Sequence, residues 1–200
     1  MLGISMTTGA LMFVPGSVNA RNNCTFDNDT VDTFVMQNVV FPKGTTDSCV
    51  LKNAPCNQVC IQGEVKNAKF VIDISKNILY HYDESGIPVI AYSVASGKKS
   101  SPTDTGVRIV THVETYPYRT AGKNTKRRRN PRDYGPNIIC VEKLDPVSGK
   151  RSITGEFIHG NNNPASIGKY ASLGCVRMDN DVIKDLSKQV KRGDIILIVK

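Results

Sequence analysis

The chain has 200 residues, room for one main domain and an appendage, and its 40% hydrophobic and 22% charged residues match a soluble globular protein. With six Phe, seven Tyr and no Trp, the core falls to aliphatic side chains, and the Val- and Ile-rich runs favour sheet. A formal charge of +8 points to an anionic partner, while no stretch after residue 20 approaches the ~18 apolar residues needed to cross a membrane.

Residues 1–20, MLGISMTTGALMFVPGSVNA, carry no charge and finish in Val18-Asn19-Ala20, the small-x-small pattern that a signal peptidase cuts. This segment resembles a secretory signal, although the usual basic start is missing. The mature protein is then expected to be exported, with no stable membrane insertion after cleavage. Residues 21–66 hold Cys24, Cys49, Cys56 and Cys60. In an exported chain these are expected to form disulfides that staple a small cap, with three pairings open. Zinc is the competing use, but Cys49-x6-Cys56-x3-Cys60 contains no CxxC pair and no histidine lies nearby. No metal or cofactor is expected. All basic residues except Arg21, Lys43, Lys52 and Lys66 lie beyond residue 66, so charge and cysteine density change together. That change separates a cysteine-rich N-terminal segment from a domain over residues 67–200.

From Ala68 the sequence reads as successive strands. KFVIDIS alternates apolar and polar residues, NILYHYD follows, and Glu84-Ser85-Gly86 marks a turn before IPVIAYSVASG. GVRIVTHVE continues what reads as a meander, followed by IICVEKL, a turn over Asp145–Gly149, and GEFIHG. NDVIKDLSKQVK places Val182, Ile183, Leu186 and Val190 at helical spacing, with Asp179–Asp181 able to cap its start and Gly193 to end it. DIILIVK closes the chain as a buried strand. The expected fold is mainly β, a sandwich or barrel with one late helix, and not a parallel α/β sheet.

One segment breaks the β rhythm. TYPYRTAGKNTKRRRNPRDYGPN, residues 115–137, is too long for an ordinary hairpin loop, and residues 119–132 hold seven Lys or Arg with no acid. Export makes nucleic acid an unsuitable partner and an anionic cell-surface polymer a better one. The segment reads either as a solvated loop or as a lid that brings tyrosines and charge over a site.

Histidine and cysteine stand sixteen positions apart in FIHGNNNPASIGKYASLGCVRM, each beside a glycine. A cysteine becomes a nucleophile when a nearby base or positive dipole lets it ionise, and a histidine within hydrogen-bond reach is such a base. Taken singly, Cys175 reads as a small buried thiol and His159 as a loop histidine. His81 and His112 look like sheet-face residues. His159-Gly160, Ser172, Gly174-Cys175 and Arg177 within nineteen positions form a set whose polar members packing does not require. Gly174 can take a conformation closed to other residues, in which consecutive N–H groups converge on an oxyanion.

This segment is similar to the signature of the L,D-transpeptidase (YkuD-like) catalytic domain family, a His-Gly followed by a Ser-His-Gly-Cys-hydrophobic-Arg/Asn run. The likeness covers roughly residues 68–200, including a Val-x-x-Gly step at Val94–Gly97 and a Thr-Pro-x-Gly-like element scrambled as Ser101–Gly106. The resemblance implies that Cys175 is the nucleophile and His159 the base, with Gly160, Ser172, Gly174 and Arg177 framing the site. Leu173 stands where most members have a second histidine, which removes that imidazole from the oxyanion pocket and from substrate contact. The implied reaction is acyl transfer on peptidoglycan stem peptides in the periplasm or cell wall: 3–3 crosslinking, carboxypeptidase action or exchange. The alternative is a wall-binding protein of the same fold whose catalysis is weak or lost.

Overall fold

The computed structural model describes residues 48–200, with side chains from residue 50 onward. The expected signal segment and Cys24 lie outside the described residues, as does the side chain of Cys49. A short helix α1 (Ser48–Lys52) leads into a hairpin of β1 (Gln58–Ile61) and β2 (Glu64–Asn67), turned by Gln62 and Gly63 at φ 52° and 84°. Two positive φ values at the turn match the right-handed twist of the paired strands. Cys56 and Cys60 are free thiols here, so the expected staple is not present at these two positions. The extended β1 carries Cys60 away from Cys56, whereas a disulfide needs close Cα atoms.

The alternating runs form the strands expected of them. These are β3 (Phe70–Asp73), β4 (Ile78–Tyr82), β5 (Pro88–Ser93), β6 (Ser96–Gly97) and β7 (Gly106–Thr115). A second short helix, α2 (Lys126–Arg129), and a 3-10 turn (Pro131–Tyr134) interrupt before β8 (Asn137–Leu144), β9 (Arg151–Ser152) and β10 (Phe157–His159). Another 3-10 turn (Pro164–Ser166) precedes β11 (Tyr170–Ser172) and β12 (Val176–Arg177), and the late helix α3 (Asn180–Gln189) leads to β13 (Ile195–Val199). Asp179 caps α3 by accepting from the Asp181 and Val182 N–H groups.

The strand order, β12-β10-β8-β7-β13-β3-β4-β5 with β9 on β8, is not the expected meander. β13 inserts between β3 and β7, parallel to β3, and β12 lies parallel to β10. A strand inserted into the middle of a sheet is covered on both faces, which explains why IILIV is apolar throughout. Ile196 and Ile198 join Phe70, Ile72, Val110 and Ile158 in a core against Ile183 and Leu186 of α3. Leu197 and Val71 face the other way, into a second core with Val50, Val59 and Ile61 from the N-terminal elements. Truncating the fully buried Ile183 to alanine would cost about 3 kcal/mol.

The edges of the sheet meet. Ala95, just past β5, exchanges both backbone hydrogen bonds with Arg177 of β12 at 2.8 Å each. The sheet therefore curls into a barrel-like wall, and β12 is fixed from both sides. Phe157, His159 and Arg177 stand at this seam.

Candidate active site

The pleat decides which residues face the site. In the parallel pair Ile158 lies opposite Val176 and His159 opposite Arg177. Ile158 and Val176 turn into the core beneath α3, so their neighbours His159, Cys175 and Arg177 take the opposite face. These three line one cavity of about 270 Å³, together with Ser172 and Leu173. Five of the six expected site residues thus gather around the cavity, counting Gly174 in the Ser172–Cys175 turn.

The sixth, Gly160, acts through its backbone. His159 Nδ1 meets the Gly160 carbonyl. A carbonyl only accepts, so Nδ1 carries the proton and Nε2 of the neutral ring holds the free lone pair. The ring is 4% exposed. Burial pushes its pKa down to about 4, the Gly160 carbonyl opposes that shift and the Arg177 charge adds to it. Burial likewise raises the Cys175 thiol; the Phe157 backbone N–H and the Arg177 and Lys126 charges favour the thiolate, while Glu156 opposes it. At neutral pH the resting pair is therefore a thiol and a neutral imidazole, suited to proton transfer during attack.

Gly174 sits at φ 113°, where a side chain would be strained. Ser172 Oγ donates to the Cys175 carbonyl and accepts from the Gly174 N–H at 3.1 Å. Both of these bonds hold the tight turn. Because the Gly174 N–H is already engaged, the expected pair of oxyanion donors reduces to the Cys175 N–H in this state. Arg177 Nε is buried and has no acceptor among the described residues, which leaves the guanidinium able to take an anion from the cavity. Leu173 is 63% exposed on the rim.

The basic segment proves to be a folded cover. Tyr118 is buried and donates Oη to the Gly135 carbonyl. Tyr134 packs edge-on against Tyr118 and Phe157, and its ring centroid lies 4.7 Å from that of His159. Lys126, Asp133 and Tyr134 line the cavity, and Asn162 donates to Asp133 at 2.8 Å from the opposite rim.

Several residues that hold the site escaped the sequence reading. Asn161 Nδ2 donates to the Met178 carbonyl at 2.7 Å, and its backbone N–H donates to Asn180 Oδ1 at 2.8 Å. Asn180 Nδ2 returns a bond to the Asn161 carbonyl at 3.0 Å, so the two asparagines clamp the chain just after His159-Gly160. A Cβ on Gly160 would collide with Asn180 Oδ1 and approach Pro136 Cδ to 2.8 Å. The Asn161-Asn162-Asn163 run was the available signal. Thr103, inside the scrambled Ser101–Gly106 element, donates Oγ1 to the Gly174 carbonyl at 2.8 Å.

His112, Glu114 and Cys140 place donor atoms within 4.8 Å of one another. Arg127 already occupies both Glu114 oxygens, so a cation would have to displace a guanidinium. Burial pushes the Cys140 thiol up to about 12, with Glu114 adding to the shift and Arg127 opposing it, which disfavours a thiolate ligand. His81 is buried and stacks on Phe70, as a sheet-face residue would.

A thiol and a neutral imidazole thus face one cavity on a curled, mainly β sheet. Residues 67–198 match the family model of the L,D-transpeptidase catalytic domain, YkuD, and the chain belongs to this family. It is 35% identical over 110 residues to YqjB of Bacillus subtilis, whose L,D-transpeptidase name is itself provisional; the match covers 54% of this chain and 57% of that protein. It is 51% identical over 41 residues to YkuD of Bacillus subtilis, covering 20% of this chain and 25% of that one. The chain thus spans little more than half of the one curated relative and a quarter of the other. Among solved structures, Bd1075 of Bdellovibrio bacteriovorus superposes with a TM-score of 0.51 at 19% identity, over 73% of this chain and 53% of that one, a likeness of fold.

Proposed function

We propose that this chain catalyses cysteine-dependent acyl transfer on peptidoglycan stem peptides. The observation that carries this reading is the shared cavity, in which a histidine with Nδ1 tied to a carbonyl presents Nε2 on the same face as Cys175. Nε2 takes the thiol proton as sulfur attacks the carbonyl at the L-centre of the diamino acid in stem position three. The tetrahedral intermediate collapses to a thioester, and the imidazolium returns its proton to the departing amine of D-alanine. A side-chain amine from a second stem then attacks the thioester to give a 3–3 crosslink, while water gives the carboxypeptidase product. Arg177 Nε, without an acceptor among the described residues, is suited to a carboxylate of the donor. This chemistry implies an exported protein acting in the periplasm or cell wall. No described helix is long and apolar enough to cross a membrane.

Intact-protein mass after exposure to a carbapenem tests the reading. Wild type should gain one adduct on Cys175, Cys175→Ser none, and His159→Ala should acylate about a hundredfold more slowly. Binding to sacculi with no adduct on the wild type would instead favour the wall-binding alternative. Muropeptide analysis after incubation with a disaccharide-tetrapeptide then separates crosslinking from trimming.

A further inference from the structure

The strand and the turn that carry His159 and Cys175 are tied together from behind by groups to which the proposed reaction gives no role. Arg108 on β7 is 0% exposed, and a guanidinium so deeply buried needs its charge and donors matched. Its Nε and Nη2 donate to Glu156 Oε2 at 3.2 and 2.9 Å, and Nη2 also donates to the Asp104 carbonyl at 2.8 Å. The other Glu156 oxygen accepts the Asp104 N–H at 3.1 Å. Thr103, next along the chain, accepts the Gly97 N–H at 2.8 Å and donates to the Gly174 carbonyl. A Cβ on Gly97 would overlap the backbone of Ser101 and Thr103, so only glycine lets the Ser101–Gly106 element lie this close.

Both ends of this chain of contacts reach Cys175. Glu156 immediately precedes Phe157, whose backbone N–H favours the thiolate, and two residues later β10 ends in His159. On the other side Thr103 fixes the carbonyl of Gly174, the residue before Cys175. The Glu156 carboxylate also lies beside the turn, since a Cβ built on Gly174 would stand 4.0 Å from Glu156 Oε1. That carboxylate opposes ionisation of the thiol even with Arg108 beside it, and would oppose it more strongly without the guanidinium. The other charged or titratable groups around the sulfur are Arg177 on β12, Lys126 on α2, His159 on β10, and Asp133 and Tyr134 from the cover, while the Asp104 carboxylate, itself paired with Lys143, faces Arg108 at 3.6 Å.

We propose that Arg108 and Glu156 form a positioning pair for Cys175, which sets the nucleophile turn against β10 and offsets part of the charge of the carboxylate beside the thiol. The proposal rests on reading Cys175 as the nucleophile, but its test needs no peptidoglycan. The alkylation rate of Cys175 by iodoacetamide is measured against pH, with peptide mass mapping to separate it from the other five cysteines. Glu156→Gln removes a negative charge and should move the titration to lower pH by about half a unit or more. Arg108→Gln leaves that carboxylate only its neutral donors, the Asp104 N–H and Thr154 Oγ1, and should move the titration to higher pH by a similar amount. Thr103→Val, which changes no charge, should leave the titration in place. All three should slow carbapenem acylation roughly tenfold or more, because each releases the turn.

Opposite shifts are the signature, since a merely structural role would move both charge variants the same way or neither. If Arg108→Gln does not fold, Glu156→Gln and Thr103→Val still decide: a shift in the first and none in the second supports the pair. An unchanged titration in Glu156→Gln overturns it. Failure of wild type to acylate at all would count against the proposed function, while the iodoacetamide titration would still judge the pair.

Discussion

Arg127 grips Glu114 through both carboxylate oxygens, Nε to Oε2 at 2.6 Å and Nη2 to Oε1 at 3.0 Å, while its guanidinium lies 5.1 Å from the centroid of the Phe157 ring. Burial alone would raise the Glu114 carboxyl, but hydrogen bonds from Arg127 and His112 outweigh it and hold the group below the usual carboxylate range. The contact fastens the basic cover to β7 at one end and to the strand that ends in His159 at the other. One member of the charge run is thus a bolt.

Arg127→Gln should therefore leave Glu114 buried without its charged partner and lower stability by about 3 kcal/mol. Lys126→Gln, one residue away but exposed, should cost less than about 0.5 kcal/mol. Urea unfolding of the two variants beside wild type measures the difference. Equal stability for all three would mean that the bidentate contact does not hold the cover down.

The exposed cations of the cover bear on the proposed polymeric substrate instead. Neutralising the exposed Lys123 and Arg129 should weaken binding to intact sacculi and raise the apparent KM for a polymeric substrate, while Cys175 keeps its reactivity toward iodoacetamide. Attraction between exposed charges is screened over about 8 Å at physiological ionic strength, so the wild-type advantage should shrink as salt is added. Equal sacculus binding at low salt would leave the cover without an electrostatic role.

How far the sequence revealed this molecule depended on how local each feature was. Period-two alternation located the strands from Phe70 to Leu144, and the spacing of Ile183 and Leu186 behind Asp179 located α3, because each pattern records which face of one element is buried. The insertion of β13 beside β3 left no such trace, since an apolar run says that a strand is covered without saying by what. At the site, the glycine-flanked His159 and Cys175 stood out chemically. Arg108, Glu156 and Thr103 did not, because their meaning lies in contacts between residues 48 to 71 positions apart. The charge run misled in its own way: Arg127 has the same composition signal as Arg129 but faces inward, which only the packing of Phe157 and Glu114 decides.

Gly174→Ala isolates the conformation of the nucleophile turn. An added methyl would meet nothing closer than 3.9 Å, so the cost comes from the φ of 113° and not from crowding. A stability loss of about 1–2 kcal/mol is expected. Acylation should fall by about a hundredfold, well beyond what the stability change explains, because the turn that aims Cys175 must relax. A variant that lost stability but acylated normally would show that the turn's geometry is not needed for attack.

The burial of neutral His159 also predicts how stability depends on pH. In the fold this imidazole titrates at about 4, whereas a histidine in the unfolded chain titrates near 6.5. Above about pH 6.5 the group is neutral in both states and adds no pH dependence. Between about 6.5 and 4 only the unfolded chain takes up the proton, so stability falls as the solution is acidified, by about 3 kcal/mol in all. Below about 4 both states are protonated and the contribution levels off. His159→Gln cannot titrate, so its stability should decline less than that of wild type between pH 7 and pH 4, while carboxylates elsewhere affect the two proteins alike. Urea unfolding at pH 7, 5.5 and 4 measures the difference of slopes. Parallel curves would mean that His159 accepts its proton in the folded state as readily as in the unfolded one, and the neutral base at the cavity floor would have to be abandoned.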